Sequence, residues 1–335
     1  MADAAGRAPV PIQAIRIHRT GGAEQMRLER IELPPPGAGA VRVRHTAIGV
    51  NFVDIHHRTG RYPLPSFPVV LGMEGAGVVE ALGPGVSGLR AGQRVAYAGR
   101  TPGSYAQALN VPANDLVPVP DGITDRQAAA LMVKGLTAQY LIRRTHRVTA
   151  GETVLVHAAA GGVGLIVCQW AKALGARVIG TVGTDRKAEI ARAHGCDDPI
   201  VYTREDFAQR VRELTGGAGV PVVYDSVGKD TFEGSLSCLA PFGLLVSFGT
   251  ASGPIPPFDL FRLNRMGSLA VTSTSLYTYT ADPARLQESA RELFAVVQSG
   301  QVRVEIQQAL PLAQAAEAHR LLESRQTSGA LVLLP

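Results

Sequence analysis

The chain of 335 residues has only three cysteines, Cys168, Cys196 and Cys238, and no C-x-x-C pair. That scarcity excludes a disulfide framework and a four-thiolate zinc site, and it fits a reducing, cytoplasmic setting. Charge is also sparse: Asp, Glu, Lys and Arg make up 18% against 46% hydrophobic residues, which excludes a disordered chain or a polyelectrolyte tail. The net charge of +5 comes from scattered Lys and Arg, with no basic block and no basic stripe interleaved with aromatics. That favours an anionic ligand over nucleic acid. The opening "MADAAGRAPVPIQ" carries an early acid and no continuous apolar stretch, so it does not read as an export signal. Internal repeats and low-complexity segments are absent as well.

Long apolar runs are missing with one exception. Residues 153–171, "TVLVHAAAGGVGLIVCQWA", contain no Asp, Glu, Lys or Arg. Central glycines argue against a membrane span, and a buried strand, a tight turn and a helix account for the same run.

What is present divides in two, as expected for a length beyond one hydrophobic core. From 10 to about 125 the segments are short and strand-like ("AIRIH", "AVRVRH", "AGVVEALG", "QRVAYAG", "LVPVP"), separated by Pro and Gly turns. A helical segment, "RQAAALMVKGLTAQYLIRR", follows. Then strands near 154–158, 177–182, 200–202, 221–225, 243–248 and 268–273 alternate with helices near 163–174, 185–194, 205–214 and 230–240. Six strands in βα alternation predict an α/β fold with a doubly wound parallel sheet. In helix 205–214, Phe207, Val211 and Leu214 make one apolar face. The tail adds helices in "ARLQESARELFAVVQSG" and "LAQAAEAHRLLES" and a closing strand "ALVLLP". A lone strand must pair elsewhere, so it is expected to return to the β-rich domain. The expected division is a discontinuous domain of residues 1–131 and 275–335 around a nucleotide-binding domain of residues 132–274.

The strand "VLVHA" leads into Ala159-Ala160-Gly161-Gly162-Val163-Gly164 and then a helix, in the spacing A-x-G-x-x-G. Bare backbone amides at a helix N-terminus suit a pyrophosphate, and a strand before with βα units after is the context that this fingerprint requires. The second strand ends "VIGTVGTDRK", with no acid at Gly180, Thr181 or Val182 to take a ribose 2′-hydroxyl. Asp185 reads as an ordinary first-turn acid, and Arg186 and Lys187 beside it suit a 2′-phosphate. The expected cofactor is NADPH.

The segments "GETVLVHAAAGGVGLIVCQWAK", "VVYDSVG", "VSFGTASG" and "VNFVDIHHRTGRYP" resemble the quinone oxidoreductase branch of the medium-chain dehydrogenase/reductases, over nearly the whole chain after residue 10. The resemblance implies a GroES-like catalytic domain clasping a six-stranded Rossmann domain, with the cofactor between them and a homodimer formed through the Rossmann domains. It implies that Ala160 to Gly164 form the pyrophosphate turn, and that Gly183, Thr184, Lys187 and Tyr202 line the 2′-phosphate pocket with Arg325 reaching it from the C-terminal segment. Asn51, Lys134, Thr137, Phe248, Gly249 and Thr250 would then lie along the nicotinamide half.

Zinc-dependent relatives carry C-x-x-D and a G-H-E triplet. Here those positions resemble Asn51 with Asp54 retained, and Gly72-Met73-Glu74, so a thiolate and an imidazole are both gone. Residues 90–115 also lack the cysteines of a structural zinc lobe. The adjacent His56 and His57 diverge by roughly 100° on a helix or 180° on a strand, poor geometry for one ion. No metal is expected. His56 stands where quinone reductases commonly carry Tyr, while Tyr62 is in its expected place. The candidate catalytic residues are Asn51, Asp54, His56 and Tyr62, of which Tyr62, Asn51 and His56 would donate hydrogen bonds to a quinone that needs no Lewis acid. Two other readings fit the same residues: NADPH-dependent C=C reduction of an enone or alkenal, and an NADPH- or RNA-binding protein with little turnover.

Overall fold

Strand Val10–Ile17 (β1) buries Ile12 and Ala14 on one face and Ile15 and Ile17 on the other, and it pairs antiparallel with Arg27–Leu33 (β2), Ile12 opposite Ile31. A computed structural model describes residues 8–335; the preceding residues 1–7, part of the stretch that reads against an export signal, lie outside the described residues. Ala40–Val50 (β3) runs into the short helix Phe52–Arg58 (α1). Next come Val69–Val70 (β4), Glu74–Leu82 (β5), Arg94–Ala98 (β6), Ala108–Pro112 (β7) and Val117–Pro118 (β8), then helix Asp125–Tyr140 (α2). The "LVPVP" strand is thus two residues long, because its prolines cannot donate to a ladder. Helix α2 ends in a wider π turn over Leu141–Thr145, where the sequence predicts plain helix.

The chain divides into two compact units: residues up to Lys134 with Thr280–Phe294 and Val304–Pro335, and residues Gly135–Tyr279 with Ala295–Arg303. In the second unit, Thr153–Val156 (β9), Gly162–Ala173 (α3), Arg177–Val182 (β10), Asp185–Ala193 (α4), Asp198–Val201 (β11), Phe207–Leu214 (α5), Val220–Asp225 (β12), Phe232–Cys238 (α6), Leu239–Ser247 (β13), Phe261–Arg265 (α7) and Ala270–Ser273 (β14) follow in turn, with a last short helix Leu276–Tyr279 (α8). The six strands form one all-parallel sheet in the order β11-β10-β9-β12-β13-β14. Strand order reverses beside β9, so the turn after β9 lies at the switch point of a doubly wound sheet. Leu155, Ile179, Val223 and Leu245 are fully buried in its core, and α5 contributes Val211 with Phe207 and Leu214 beside it, the predicted face. Helix α6 is shorter than expected, since β13 starts at Leu239 directly after it.

Helix Pro283–Gln298 (α9) follows, and Ile306–Pro311 (β15), Ala315–Glu323 (α10) and Ala330–Leu334 (β16) complete the first unit. The closing strand β16 does pair with β3, Leu331 opposite Val50 and Leu333 opposite Ile48. Strand β15, unmarked in the sequence, lies parallel beside β16. The resulting sheet runs β15-β16-β3-β5-β6-β8, with β7 also on β3. Ile48, Val50, Leu71, Tyr105, Leu331 and Leu333 share one core cluster, which fixes the end of β3, where Asn51 begins.

Candidate active site

Within the first unit the key element is the junction of β3 and α1. Asn51 is extended and caps the helix; its backbone N–H donates to Asp54 Oδ2 at 2.8 Å, half of a capping box. The Asn51 side chain is 5% exposed. Its Nδ2 donates to Glu74 Oε1 at 2.8 Å, and its Oδ1 accepts from Lys134 Nζ at 2.7 Å. Lys134, from α2, also donates to Val50 O at 3.0 Å and to Glu74 Oε1 at 3.1 Å. Glu74 Oε2 accepts from the Val133 N–H at 2.6 Å.

Asp54 is fully buried. Burial pushes its carboxyl up to about 7, opposed by the Asn51 N–H and the Tyr105 hydroxyl. Tyr105 donates to Asp54 Oδ2 at 3.0 Å and lies 3.0 Å from His319 Nε2. With the phenol proton committed to Asp54, His319 must donate its Nε2–H to the Tyr105 oxygen. Burial, and secondarily Arg58, pushes His319 down to about 3, so it is neutral. Arg58 is itself buried and paired with Glu323. Neither Tyr105 nor His319 carries a sequence signal, since they lie 51 and 265 positions from Asp54.

His56 and His57 sit on α1, and both rings pack edge-on against Tyr62, with centroids 5.0 and 5.8 Å away. Burial pushes His56 down to about 4, helped by Arg61 and His57, leaving a neutral ring with one N–H to donate. Tyr62 is 39% exposed. The structure therefore groups His56 with Tyr62, and Asn51 with Asp54 and Lys134.

The donor set does not fit zinc. Asn51 presents an amide already engaged by Lys134 and Glu74, Met73 is a thioether, and Glu74 has both oxygens occupied. Among the described residues no three His, Cys, Asp or Glu side chains gather closely enough to hold a metal.

In the second unit the expected cofactor residues collect at the carboxyl ends of the parallel strands, where open α/β sheets hold ligands. Gly161 is extended at the N-terminus of α3, which has no side-chain cap. A Cβ on Gly164 would lie 2.3 Å from Ala158 O, so only glycine lets the helix start this close to β9. The left-handed residue of this turn is Ala158, φ 52°, and not a glycine. After β10, Thr184 caps α4 through the Lys187 N–H, and a Cβ on Gly183 would meet Tyr202 Oη at 3.0 Å. Gly183, Thr184, Lys187 and Tyr202 thus share one corner. Lys187 is half-buried there, which pushes its ammonium below the usual lysine range. Asp185 is held by Arg204, which donates to its Oδ2 at 2.8 Å, a pairing that the sequence did not signal. Phe248 N–H bonds to Asp225 O at 2.9 Å, bringing the Phe248–Thr250 loop beside the end of β12. Thr137 is buried on α2, and Arg325, in the first unit, adopts φ 56°.

Residues 37–121 match the alcohol dehydrogenase GroES-like domain and residues 162–295 the zinc-binding dehydrogenase domain. A quinone oxidoreductase of Pseudomonas aeruginosa is 52% identical, over 94% of this chain and 97% of its own length. The chain belongs to the quinone oxidoreductases of the medium-chain dehydrogenase/reductase superfamily. Its fold is accordingly α/β, a GroES-like domain with a Rossmann-type parallel sheet. The crystal structure of the Escherichia coli quinone oxidoreductase complexed with NADPH superimposes with a TM-score of 0.93 at 47% identity, covering 96% of this chain and all of that one. The 2-haloacrylate reductase of a Burkholderia species is 45% identical, over 97% of this chain and 99% of its own.

Proposed function

We propose that this chain is an NADPH-dependent quinone oxidoreductase that passes reducing equivalents to a quinone without a metal, with the first unit as catalytic domain and the second as NADPH-binding domain. The observation that carries the cofactor choice is the corner after β10. Its acid, Asp185, is paired with Arg204, and Lys187 stands beside Thr184 and Tyr202. A carboxylate placed to select NAD is replaced by cationic surroundings that suit a 2′-phosphate. Ala160 to Gly164 would hold the pyrophosphate, Gly183, Thr184, Lys187 and Tyr202 the 2′-phosphate, and Thr137 with Phe248 to Thr250 the nicotinamide half. NADPH, when bound, supplies the hydride. The side chains bind and orient the acceptor: Asn51, Tyr62 and neutral His56 donate hydrogen bonds to the oxygen on which negative charge develops.

The test is a titration and an acceptor panel. NADPH should bind at least about tenfold more tightly than NADH, a difference of about 1.4 kcal/mol. Tyr62→Phe and Asn51→Ala should each lower quinone turnover by roughly 10- to 100-fold. Equal affinities for the two dinucleotides would reject the corner's role, and unchanged turnover in both variants would reject the donors. The 2-haloacrylate reductase relative favours a second reading, reduction of an activated C=C bond on the same residues, so the panel includes an alkenal beside ortho- and para-quinones.

The working form is a cytoplasmic homodimer built through the second unit. No helix among the described residues is long and apolar enough to cross a membrane, and all three cysteines are free and buried. Phe242, Leu260 and Phe261 are exposed by 81%, 71% and 63%, and the Phe242 N–H bonds to Gly267 O just beyond α7, so they sit on neighbouring segments. Large exposed apolar side chains so placed suit a subunit interface. Phe242→Glu with Leu260→Glu should convert the mass measured by light scattering from two subunits to one; an unchanged mass places the interface elsewhere.

A further inference from the structure

Glu74 has no assigned role, yet the structure makes special room for it. It is fully buried at the start of β5, and a Cβ on Gly49 would lie 2.0 Å from its Oε1. Any side chain on that residue of β3 would expel the carboxylate. Its Oε2 is fixed by the Val133 N–H, and its Oε1 faces both Lys134 and Asn51.

The Asn51 carboxamide is therefore threaded between a cation and an anion. An ammonium only donates and a carboxylate only accepts, so Oδ1 must face Lys134 and Nδ2 must face Glu74. Flipping the amide would set N–H against the ammonium and oxygen against the carboxylate, exchanging two charge-assisted hydrogen bonds for two repulsions. Lys134 has three ammonium hydrogens and three acceptors, Val50 O, Asn51 Oδ1 and Glu74 Oε1, so none is left for a ligand in this arrangement. Asn51 keeps one Nδ2 hydrogen beyond the one given to Glu74.

We propose that Glu74 and Lys134 are positioning residues that lock the Asn51 carboxamide in one orientation, so that its second Nδ2 hydrogen is the donor presented to the substrate oxygen. This rests on the reading of Asn51 as a substrate donor. Lys134 then acts through Asn51, in place of the direct cofactor contact that family resemblance implies.

A double-mutant cycle on the full chain tests it, with 1,4-naphthoquinone as acceptor and NADPH affinity followed by fluorescence. Glu74→Gln should lower kcat on the order of 10- to 100-fold, the scale of a misplaced group, while NADPH affinity stays within about twofold. In an Asn51→Ala background the same substitution should change kcat by less than about twofold, since nothing is left to position. An equal fall in both backgrounds overturns the proposal. Unchanged kcat in Asn51→Ala alone overturns the parent reading of Asn51, a distinguishable result. Should Glu74→Gln fail to fold, Glu74→Gln combined with Lys134→Met removes both buried charges together and carries the same cycle. Lys134→Arg, which keeps the charge and the donors, should restore part of the kcat that Lys134→Met loses.

Discussion

Gly164→Ala is expected to weaken NADPH binding by about 100-fold and to destabilise the fold by about 1–3 kcal/mol. The added methyl would stand 2.3 Å from Ala158 O and 2.9 Å from both Ala159 Cα and Ala159 O. All three are backbone atoms at the end of β9, so no flexible side chain can yield, and helix α3 must move away from the sheet. That movement misaligns the first amides of the helix. Losing two charge-assisted hydrogen bonds at about 1.5 kcal/mol each gives the 100-fold figure. Gly161→Ala separates packing from binding. Its methyl would meet Ala158 O at 3.1 Å and nothing else closer than 3.9 Å, so stability should change by less than about 1 kcal/mol. Affinity for NADPH should still fall, because the side chain crowds the bare amide face of the turn. Thermal melts with NADPH titrations on both variants check this. Equal stability losses, or an unchanged affinity in Gly164→Ala, would show that the glycines do not divide the work in this way.

The parallel sheet was legible because strands buried on both faces read as short apolar runs bounded by glycine. "RVIGTV" gives β10 at its observed limits, Arg177–Val182. Strand β15 was not legible: Ile306–Pro311 contains two glutamines and alternates poorly, and it is a strand because β16 lies beside it. Helix α1 was hidden for a related reason, since seven residues cannot establish a helical period and its start depends on a capping box with Asp in place of Glu. The candidate site divides similarly. The glycine turn declares itself through local spacing, whereas Asn51 and Asp54 stand out only through the resemblance to the family's motif. Glu74 meets Lys134 across 60 positions and Tyr105 meets His319 across 214, contacts that only the packing of helices α2 and α10 within the first unit creates. At the corner after β10, the sequence placed Asp185 as a helix-start acid, and the fold adds Arg204 from beyond β11 to neutralise it. Ala158 inverts the usual signal: a left-handed position that would announce itself as glycine is filled by alanine, at a cost of about 1 kcal/mol that the turn's packing must offset.

Asp54→Asn is expected to gain stability over the wild type as pH rises, by roughly 2.5 kcal/mol between pH 5 and pH 8. The sign follows from burial. In the unfolded chain the carboxyl titrates near 3.8, whereas in the fold burial pushes it up to about 7. Across that window the folded protein binds more protons than the unfolded one, so stability falls with rising pH at up to about 1.4 kcal/mol per unit and levels off above pH 7. Asparagine removes the titration while its carbonyl can still accept from the Asn51 N–H and the Tyr105 hydroxyl, which both bond to Asp54 Oδ2. The buried histidines act in the opposite direction: His319 is pushed down to about 3 and His45 to about 4, so each favours unfolding as pH drops below about 6.5. They are present in both proteins, so subtracting the two denaturation curves isolates Asp54. A difference that is flat from pH 5 to 8 would mean that Asp54 keeps an ordinary carboxylate pKa inside the fold. The Tyr105–His319 chain would then have to be read as solvating a charge, and not as bracing a neutral acid behind Asn51.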